Sequence, residues 1–293
     1  CMTLEISNNR VYHIYRHYRH KLSSIYPSEE ASTIARMVMQ EILGIDQIKF
    51  LSEPDLRISE SEILKIHFAF KDLLNHRPLQ YVLGYAWFRN IRLKVGHGVL
   101  IPRPETEELV GWILENFLDK PNLRILDIGT GSGCIAISLA KELKGAQITA
   151  TDISEMALEY ARENASEHGT AIQFVLHDIT SNAKSTQFEP FHVIVSNPPY
   201  VTQSEKSNMH PNVLRYEPTE ALFVNNEDPF IFYRSIAGYG QKFLDEDGWI
   251  YVEINERFPA MIQKIFSSHK YRNIETRKDF NGKYRMMRAQ KPE

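Results

Sequence analysis

The sequence predicts an α/β protein in which a mostly parallel, seven-stranded sheet follows a helical N-terminal domain. After residue 120, apolar segments of strand length alternate with amphipathic segments of helical length, and the connections between them are short. This alternation is typical of a parallel sheet covered by helices on both faces. Before residue 80, by contrast, the apolar residues recur only at helical spacing.

The N-terminal helices are predicted from apolar spacing and from signals at the helix ends. A first helix carries an apolar stripe with the spacing i, i+3, i+4 and i+7, formed by Val11, Ile14, Tyr15 and Tyr18. A second helix is bounded by Pro27 and Gly44. A third runs from Ser59, which starts a capping-box pattern, to about Asn75. Together they predict a small helical bundle in residues 1–78.

The remaining chain is predicted as a linking hairpin and a second domain. Residues 79–103 have alternating apolar residues and glycine punctuation, which predicts a β-hairpin between the domains. Domain 104–293 begins with a helix over 104–118. Its other elements are predicted as strand 123–128, helix 133–144, strand 147–152, helix 154–167, strands 172–176 and 191–196, helix 229–244, strand 248–254, helix 256–267, and strands 271–277 and 284–289. Ligands of such sheets bind at the carboxyl ends of the strands.

The composition is that of a soluble globular protein of the cytoplasm. Hydrophobic residues make up 43% and charged residues 24% of the chain. No segment approaches the roughly 18 apolar residues that a membrane span needs, and the N-terminus has no apolar signal core. We interpret Met2, which follows Cys1, as the natural start. Since Cys134 is the one other cysteine, no disulfide framework is expected, as in a reducing compartment.

The charge and the histidines argue against two further classes of function. The net charge is −3 and the pI about 6.5, which argues against a protein that coats nucleic acid, with a local basic face as the alternative. The 11 histidines are scattered, and their spacing to cysteines predicts no metal site.

The segment RILDIGTGSGCIAISLA carries the strongest local signal. An apolar strand ends at Asp127, and Gly129, Gly131 and Gly133 alternate before a helix begins. Glycines allow a close approach of backbone to ligand. The dinucleotide fingerprint is G-x-G-x-x-G, whereas this loop is G-x-G-x-G with an acid two residues ahead. Because that carboxylate would repel a pyrophosphate but can hold an ammonium or lie near a sulfonium, we expect S-adenosylmethionine rather than NAD. A glycine-rich turn without a ligand is the alternative.

Two aspartates follow the next two strands. Asp152 ends strand 147–152, where a carboxylate suits the two hydroxyls of a ribose, although this does not discriminate between cofactors. Its alternative role is to cap the next helix, which Ser154 can also do. After strand 172–176, Asp178 or the backbone of Ile179 could meet an adenine edge, and a turn aspartate is the alternative.

The segment SNPPY follows another strand and therefore lies at the same sheet edge as the glycine loop. Pro198 and Pro199 make a stiff corner directly after the strand. A carboxamide or an aromatic amine is a poor nucleophile because its lone pair is delocalised. Oδ1 of Asn197 and the carbonyl of Pro198 can accept both N–H bonds of such a nitrogen and aim its lone pair at a methyl group. Tyr200 can stack on, or wall in, a planar substrate group.

DIGTGSG, followed at this distance by NPPY, resembles the class I S-adenosylmethionine-dependent methyltransferases that modify planar nitrogen, which have a Rossmann-like fold. GVLIPRPETEELV (98–110) narrows the resemblance to the protein-(glutamine-N5) methyltransferases of peptide-chain release factors, the HemK or PrmC family. YEPTEALF (216–223) and RKDFNGKYRMMRA (277–289) are further matches. Since the helical N-terminal domain also fits, the resemblance covers essentially the whole chain.

This resemblance implies methylation of the side-chain amide of the glutamine in the GGQ motif of class I release factors. S-adenosylmethionine is the implied cofactor, with S-adenosylhomocysteine as product. The implied cofactor contacts are Gly129, Thr130, Gly131, Ser132, Gly133, Asp152, Asp178, Ile179 and Asn197. The implied substrate contacts are Asn197, Pro198, Pro199 and Tyr200, of which Asn197 and Pro198 are catalytic. Arg103, Glu105 and Thr106 are implied to shape the cofactor end of the pocket. A monomer is implied, with the N-terminal domain recognising the substrate and with no membrane or stable nucleic-acid partner.

The chain departs from the family pattern at two positions. Asn255, in IYVEINERF, stands where many members have glycine, so the resemblance does not predict the local turn there. Ile179 stands at a position that can be aromatic in relatives, which weakens any expectation of stacking on adenine there.

Two other functions fit part of this pattern of motifs. An adenine-N6 methyltransferase of DNA or RNA uses the same kind of corner, but methylation of a duplex requires base flipping and a basic groove, which the pI argues against. A binding protein that keeps the cofactor without turnover is disfavoured by the intact NPPY and glycine loop.

The basic run from Tyr15 to Lys21 is interpreted as a solvated helix face rather than a contact with an acidic surface or ribosomal RNA.

Overall fold

A computed structural model describes residues 8–181 and 188–291. Cys1 and Met2, on which the expected start of the chain depends, lie outside these ranges. The contacts divide the chain into two compact units. One unit is Cys1–Gly84 with Pro211–Tyr216, and the other is Tyr85–His210 with Glu217–Glu293.

The helices have the following bounds: α1 Val11–Leu22, α2 Ser28–Leu43, α3 Gln47–Ser52, α4 Glu60–Leu74, α5 Leu79–Leu83, α6 Pro104–Phe117, α7 Cys134–Glu142, α8 Glu155–Glu167, α9 Pro211–Tyr216, α10 Thr219–Leu222, α11 Ile231–Phe243 and α12 Pro259–Ser268. A 3₁₀ helix spans Gln203–Asn208. The strands are β1 Tyr85–Phe88, β2 Ile91–Lys94, β3 Arg124–Ile128, β4 Gln147–Asp152, β5 Ile172–Leu176, β6 Phe191–Ser196, β7 Val201–Thr202, β8 Phe223–Val224, β9 Leu244–Glu253, β10 Arg272–Lys278 and β11 Tyr284–Gln290.

The first unit is a helical bundle with its own apolar core. The stripe predicted on the first helix is buried at Val11, Ile14 and Tyr18. At the start of α4, Ser59 Oγ accepts from the amide of Glu62 at 3.3 Å, and the Glu62 carboxylate accepts from the Ser59 amide at 2.7 Å. This pair of bonds confirms the predicted capping box.

The hairpin is shorter than the sequence predicts. Residues Leu79–Leu83 form helix α5, because Pro78 suits the position before a first helical turn and Gly84, with φ of 80°, ends the helix. The hairpin strands β1 and β2 pair antiparallel around Arg89 and Asn90, whose φ values are 43° and 62°. Two consecutive residues with positive φ are typical of a tight hairpin turn.

The second unit is built on a seven-stranded sheet with the order β10-β11-β9-β6-β3-β4-β5. The pairs β3–β4, β4–β5, β3–β6 and β6–β9 are parallel, and β11 runs antiparallel to both of its neighbours. Alternate residues of β6 enter different cores: Val193 and Val195 pack with α6 and α7, whereas Ile194 packs with α11 and α12. Both faces of the sheet are therefore covered, as predicted.

Two features are absent from the residues that the structure describes. None of their helices combines the length and apolar character that a membrane span requires. No three of their His, Cys, Asp or Glu side chains are grouped as metal ligands.

Candidate active site

Four neighbouring parallel strands end level with one another. The pairing register places Ile128 of β3 beside Thr151 of β4 and Ser196 of β6, and it places Ser196 beside Val252 of β9. The residues that come next are also level, and these are Gly129, Asp152, Asn197 and Glu253. After β3 the chain builds the sheet first through β4 and β5 on one side and then through β6 on the other. Such a switch point is where ligands bind in parallel sheets.

Hydrogen bonds hold the glycine loop between β3 and α7. The amide of Gly129 donates to the carbonyl of Thr151 at 2.8 Å. The carbonyl of Ser132 accepts from Nδ2 of Asn164, a fully buried residue of α8, at 2.9 Å. Asn164 also bonds the amide and the carbonyl of Lys94. One side chain therefore fixes both the loop and strand β2.

Two glycines of the loop serve different purposes. Gly131 has φ of 55°, its amide donates to Asp152 Oδ2 at 2.9 Å, and no atom lies within 4 Å of the position that a Cβ would take. Gly133 has φ of 83°, and a Cβ there would lie 3.0 Å from Cδ1 of Ile137 and 3.3 Å from Cβ of Ala161. The loop is thus open beside Gly131 and closely packed onto α7 and α8 at Gly133.

Asp127, near the end of β3, is a buried carboxylate with one unpartnered oxygen. Its Oδ2 accepts from Thr130 Oγ1 at 2.6 Å, whereas its Oδ1 has no hydrogen-bond partner among the described residues. Burial raises the pKa of Asp127 to about 7, the charge of Asp152 adds to the shift, and the Thr130 bond and the Ala136 amide in the first turn of α7 oppose it. A cationic ligand group would satisfy the unpartnered oxygen and stabilise the charged form.

Asp152 is fixed by backbone amides on both sides. Its Oδ2 accepts from Gly131 and its Oδ1 from the amide of Ser154, both at 2.9 Å. Burial raises the pKa of Asp152, and these amide bonds oppose the shift. Each oxygen retains a lone pair for a ligand hydroxyl. Ser154 caps α8 itself, since its Oγ accepts from the amide of Ala157 at 3.2 Å.

Asp178 organises a turn after β5. Its Oδ1 accepts from the amide and the hydroxyl of Thr180, at 2.8 and 2.7 Å. The preceding residue, His177, donates its amide to the carbonyl of Asp152 at 2.9 Å, so the turn starts beside the end of β4. Ile179 is half-buried and packs against the core on the α11 face. The turn role is therefore observed, and an adenine contact at Asp178 and Ile179 stays a prediction.

A chain of hydrogen bonds holds the NPPY corner. Nδ2 of Asn197 donates to Oγ1 of Thr106 at 3.1 Å. Thr106 Oγ1 in turn donates to Oε2 of Glu253 at 2.7 Å. The hydroxyl of Tyr200 donates to the other oxygen of Glu253, Oε1, also at 2.7 Å. Between the two ends of the corner, Pro198 is buried. One glutamate therefore anchors both ends of the NPPY segment.

Glu253 is a residue of this site that the sequence reasoning does not identify. It is 1% exposed, and burial raises its pKa, while the bonds from Tyr200 and Thr106 and the charge of Arg285 oppose the shift. A signal for it was present, because Glu253 is an acid at the carboxyl end of an apolar strand, as Asp152 is.

The residues expected to shape the cofactor end of the pocket have separate partners. Thr106 bonds the NPPY corner directly. Arg103 Nη2 donates to Oε1 of the buried Glu217 at 2.6 Å, and Glu217 Oε2 accepts from the amide of Ile101 at 3.2 Å. Glu105 is half-buried in the first turn of α6. Its charge also raises the pKa of Glu253, although burial is the larger cause.

Asn255 needs no unusual backbone conformation, since its φ is not positive. Its Nδ2 donates to the carbonyl of Tyr200 at 3.1 Å and to Oε2 of Glu205 at 3.2 Å. Its Oδ1 accepts from the amide of Arg257 at 2.9 Å. The asparagine that replaces the expected glycine therefore ties the NPPY corner to the turn after β9.

Comparisons with known proteins agree with this architecture. Residues 111–220 match the family model of the methyltransferase small domain, and residues 13–84 match that of the PrmC N-terminal domain. A solved methyltransferase from Pyrococcus furiosus superposes with a TM-score of 0.50 at 20% identity, covering 69% of this chain and 90% of that one. The fold is thus the expected Rossmann-like, class I methyltransferase fold.

Curated relatives match over almost their whole length. The release factor glutamine methyltransferase of Bacteroides thetaiotaomicron is 42% identical over 271 residues, which are 92% of this chain and 96% of that protein. The release factor glutamine methyltransferase of Flavobacterium psychrophilum is 38% identical over 271 residues, with coverages of 92% and 94%. The protein therefore belongs to the release factor glutamine methyltransferase family.

Proposed function

We propose that this protein transfers a methyl group from S-adenosylmethionine to the side-chain amide nitrogen, N5, of the glutamine in the GGQ motif of class I release factors. The observation that carries the proposal is the Asn197 carboxamide, which is held by Thr106 at the same sheet edge as the glycine loop. Membership of the family supports the choice of a glutamine over an adenine as methyl acceptor.

The residues of the glycine loop fit S-adenosylmethionine. The unpartnered, buried Oδ1 of Asp127 suits its ammonium group, and the open space beside Gly131 leaves room for it. Asp152, with a lone pair left on each oxygen, suits the ribose hydroxyls. Besides Asp127, the cofactor contacts proposed for the site are Gly129, Thr130, Gly131, Ser132, Gly133, Asp152, Asp178, Ile179 and Asn197.

The acceptor amide is assigned to the NPPY corner. Oδ1 of Asn197 has no hydrogen-bond partner among the described residues, so it can accept one N–H of the substrate amide. The Pro198 carbonyl accepts the other, while Pro199 and Tyr200 wall in the planar group. Arg103, Glu105 and Thr106 are proposed to border the cofactor end of this pocket.

The mechanism follows from these contacts. When bound, S-adenosylmethionine supplies an electrophilic methyl group on a sulfonium. Asn197 and Pro198 hold the amide nitrogen by both of its N–H bonds and thereby orient its lone pair toward the methyl carbon. Because the nitrogen loses its proton only after the C–N bond has formed, direct displacement needs no strong base, and we assign none. Asp127 stabilises the bound cation rather than moving a proton.

The partner and setting are proposed along with the reaction. The substrate is the GGQ loop of a class I release factor, recognised by the N-terminal helical domain, residues 1–78. Residues 79–103 link this domain to the methyltransferase domain, residues 104–293. We propose a cytoplasmic monomer without a stable nucleic-acid partner.

Replacing Asn197 tests the proposal most simply. Asn197→Ala removes the amide acceptor but leaves the glycine loop, so methylation of a release factor should be lost while calorimetry finds S-adenosylmethionine affinity mostly unchanged. Asp152→Ala is the matched variant for the other half of the site, and it should raise the cofactor dissociation constant. If Asn197→Ala still methylates the release factor, Asn197 is not the residue that holds the substrate amide.

A further inference from the structure

We infer that Glu253 is a positioning residue that sets which way the Asn197 carboxamide faces. It acts through Thr106 and leaves Oδ1 of Asn197 as the acceptor for the substrate. The inference rests on the proposed function for the identity of that substrate. The hydrogen-bond chain itself is independent of it.

The direction of the chain follows from counting donors. The bonds from Tyr200 and Thr106 and the charge of Arg285 favour the ionised form of Glu253. An ionised carboxylate can only accept hydrogen bonds, and a hydroxyl has a single hydrogen to donate. Both oxygens of Glu253 are taken by hydroxyls, Oε2 by Thr106 and Oε1 by Tyr200. Thr106 therefore donates its one hydroxyl hydrogen to Glu253, and its oxygen can only accept a hydrogen bond from any other neighbour.

Asn197 meets that accepting side of Thr106. A carboxamide offers either its NH₂ or its oxygen to a neighbour, and an accepting hydroxyl selects the NH₂. Nδ2 of Asn197 accordingly donates to Thr106 Oγ1 at 3.1 Å, which turns Oδ1 to the opposite side of the planar group. If the carboxamide were reversed, an NH₂ would face the N–H groups of the substrate amide, and donor would oppose donor.

Burial makes this control effective. Glu253 is 1% and Thr106 2% exposed, so water does not compete for their hydrogen bonds. The two residues come from different elements, β9 and the first turn of α6, yet they converge on one corner. Such supporting contacts fix the rotamer of a side chain that touches substrate, and a misplaced group lowers the rate.

Three substitutions separate this role from a merely structural one. Glu253→Gln keeps the shape but has one acceptor oxygen, so one of the two hydroxyls meets an NH₂ group in place of an acceptor. Thr106→Val removes the relay hydroxyl, whereas Thr106→Ser retains it. Thr149→Val is the matched control, because Thr149 is likewise buried but lies on β4 and donates only to Gln173 at 3.4 Å.

The kinetic test uses the full-length protein with a release factor. Glu253→Gln and Thr106→Val should each lower kcat about 10- to 100-fold, with the S-adenosylmethionine dissociation constant and the thermal midpoint little changed. Thr106→Ser should restore most of kcat, and Thr149→Val should retain it. The double variant should be no slower than the slower single variant, since both break one chain. Wild-type kcat in folded Thr106→Val overturns the inference.

A second readout needs no substrate. The side-chain NH₂ of Asn197, assigned by its loss in Asn197→Asp, should exchange slowly with solvent in the wild type and quickly in Thr106→Val and Glu253→Gln, by ¹⁵N NMR. Unchanged exchange in both variants overturns the inference. If the wild type fails to methylate a release factor, the proposed function falls, while this measurement still decides the role of Glu253.

Discussion

Asp127 is a carboxylate whose burial opposes its ionisation. Its pKa is raised from 3.8 to about 7, so the carboxyl is largely protonated below pH 7 and ionised above it in the cofactor-free protein. Only the ionised form attracts an ammonium. We therefore predict that the apparent dissociation constant for S-adenosylmethionine rises several-fold between roughly pH 7.5 and pH 6, where the ligand's amino group stays charged, measured by calorimetry.

The control for this prediction is Asp127→Asn, which keeps the size of the side chain but not its charge. This variant should bind the cofactor more weakly at about pH 7.5, and its affinity should change little toward lower pH. A wild-type affinity that is flat over the same range would show that Asp127 does not meet the cation.

At the residue scale, the sequence predicts which residues lie at the ends of the strands better than it predicts the hydrogen bonds between their side chains. Asp127, Asp152 and Asn197 were recognisable because each ends an apolar strand at one edge of a parallel sheet. The role of Glu253 depends on Thr106, which lies 147 residues away in the chain, and no local pattern encodes that contact.

At the scale of elements, the glycine loop is held both by backbone conformation and by packing. Gly133→Ala would place a Cβ at φ of 83° within 3.0 Å of Ile137 and 3.3 Å of Ala161. We predict a loss of about 2–4 kcal/mol in the free energy of unfolding, from left-handed strain plus overpacking, measured in urea. The displaced loop should also bind S-adenosylmethionine more weakly.

Gly169→Ala supplies the comparison for that substitution. Gly169 also has positive φ, 63°, but nothing lies within 4 Å of a Cβ there. This variant should lose only the strain, about 1–2 kcal/mol, and should keep its cofactor affinity. Equal losses in the two variants would mean that the loop is not packed as described.

The buried parallel strands were the most predictable elements. Strands β4, β5 and β6 have the bounds that the sequence predicts, because each is an apolar run that ends in a polar or glycine-rich turn. The elements of segment 201–224 were not predicted. Strands β7 and β8 are only two residues long, and they pair with each other although about 20 residues separate them in the chain. Helix α5 was missed because five residues before a hairpin are too few to show helical periodicity.

At the scale of the whole molecule, the chain contains two units with separate hydrophobic cores. The core of the helical unit includes Ile14, Met39, Ile66 and Phe70, whereas the sheet unit buries its residues on the two faces of β6 and β9. Tyr216, in the short helix α9, donates its hydroxyl to the carbonyl of Asn75, and both residues belong to the helical unit. Each unit therefore has the core of its own that a separately folding domain needs.

The central claim, that the acceptor is a release-factor glutamine, is tested most directly by transfer of a labelled methyl group. The protein would be incubated with S-adenosylmethionine labelled in the methyl group and, separately, a class I release factor, the same factor with alanine in place of the GGQ glutamine, and DNA. We predict label on the unaltered release factor alone, located on that glutamine by mass spectrometry. Label on DNA but not on the release factor, or equal label on the alanine variant, would contradict the account.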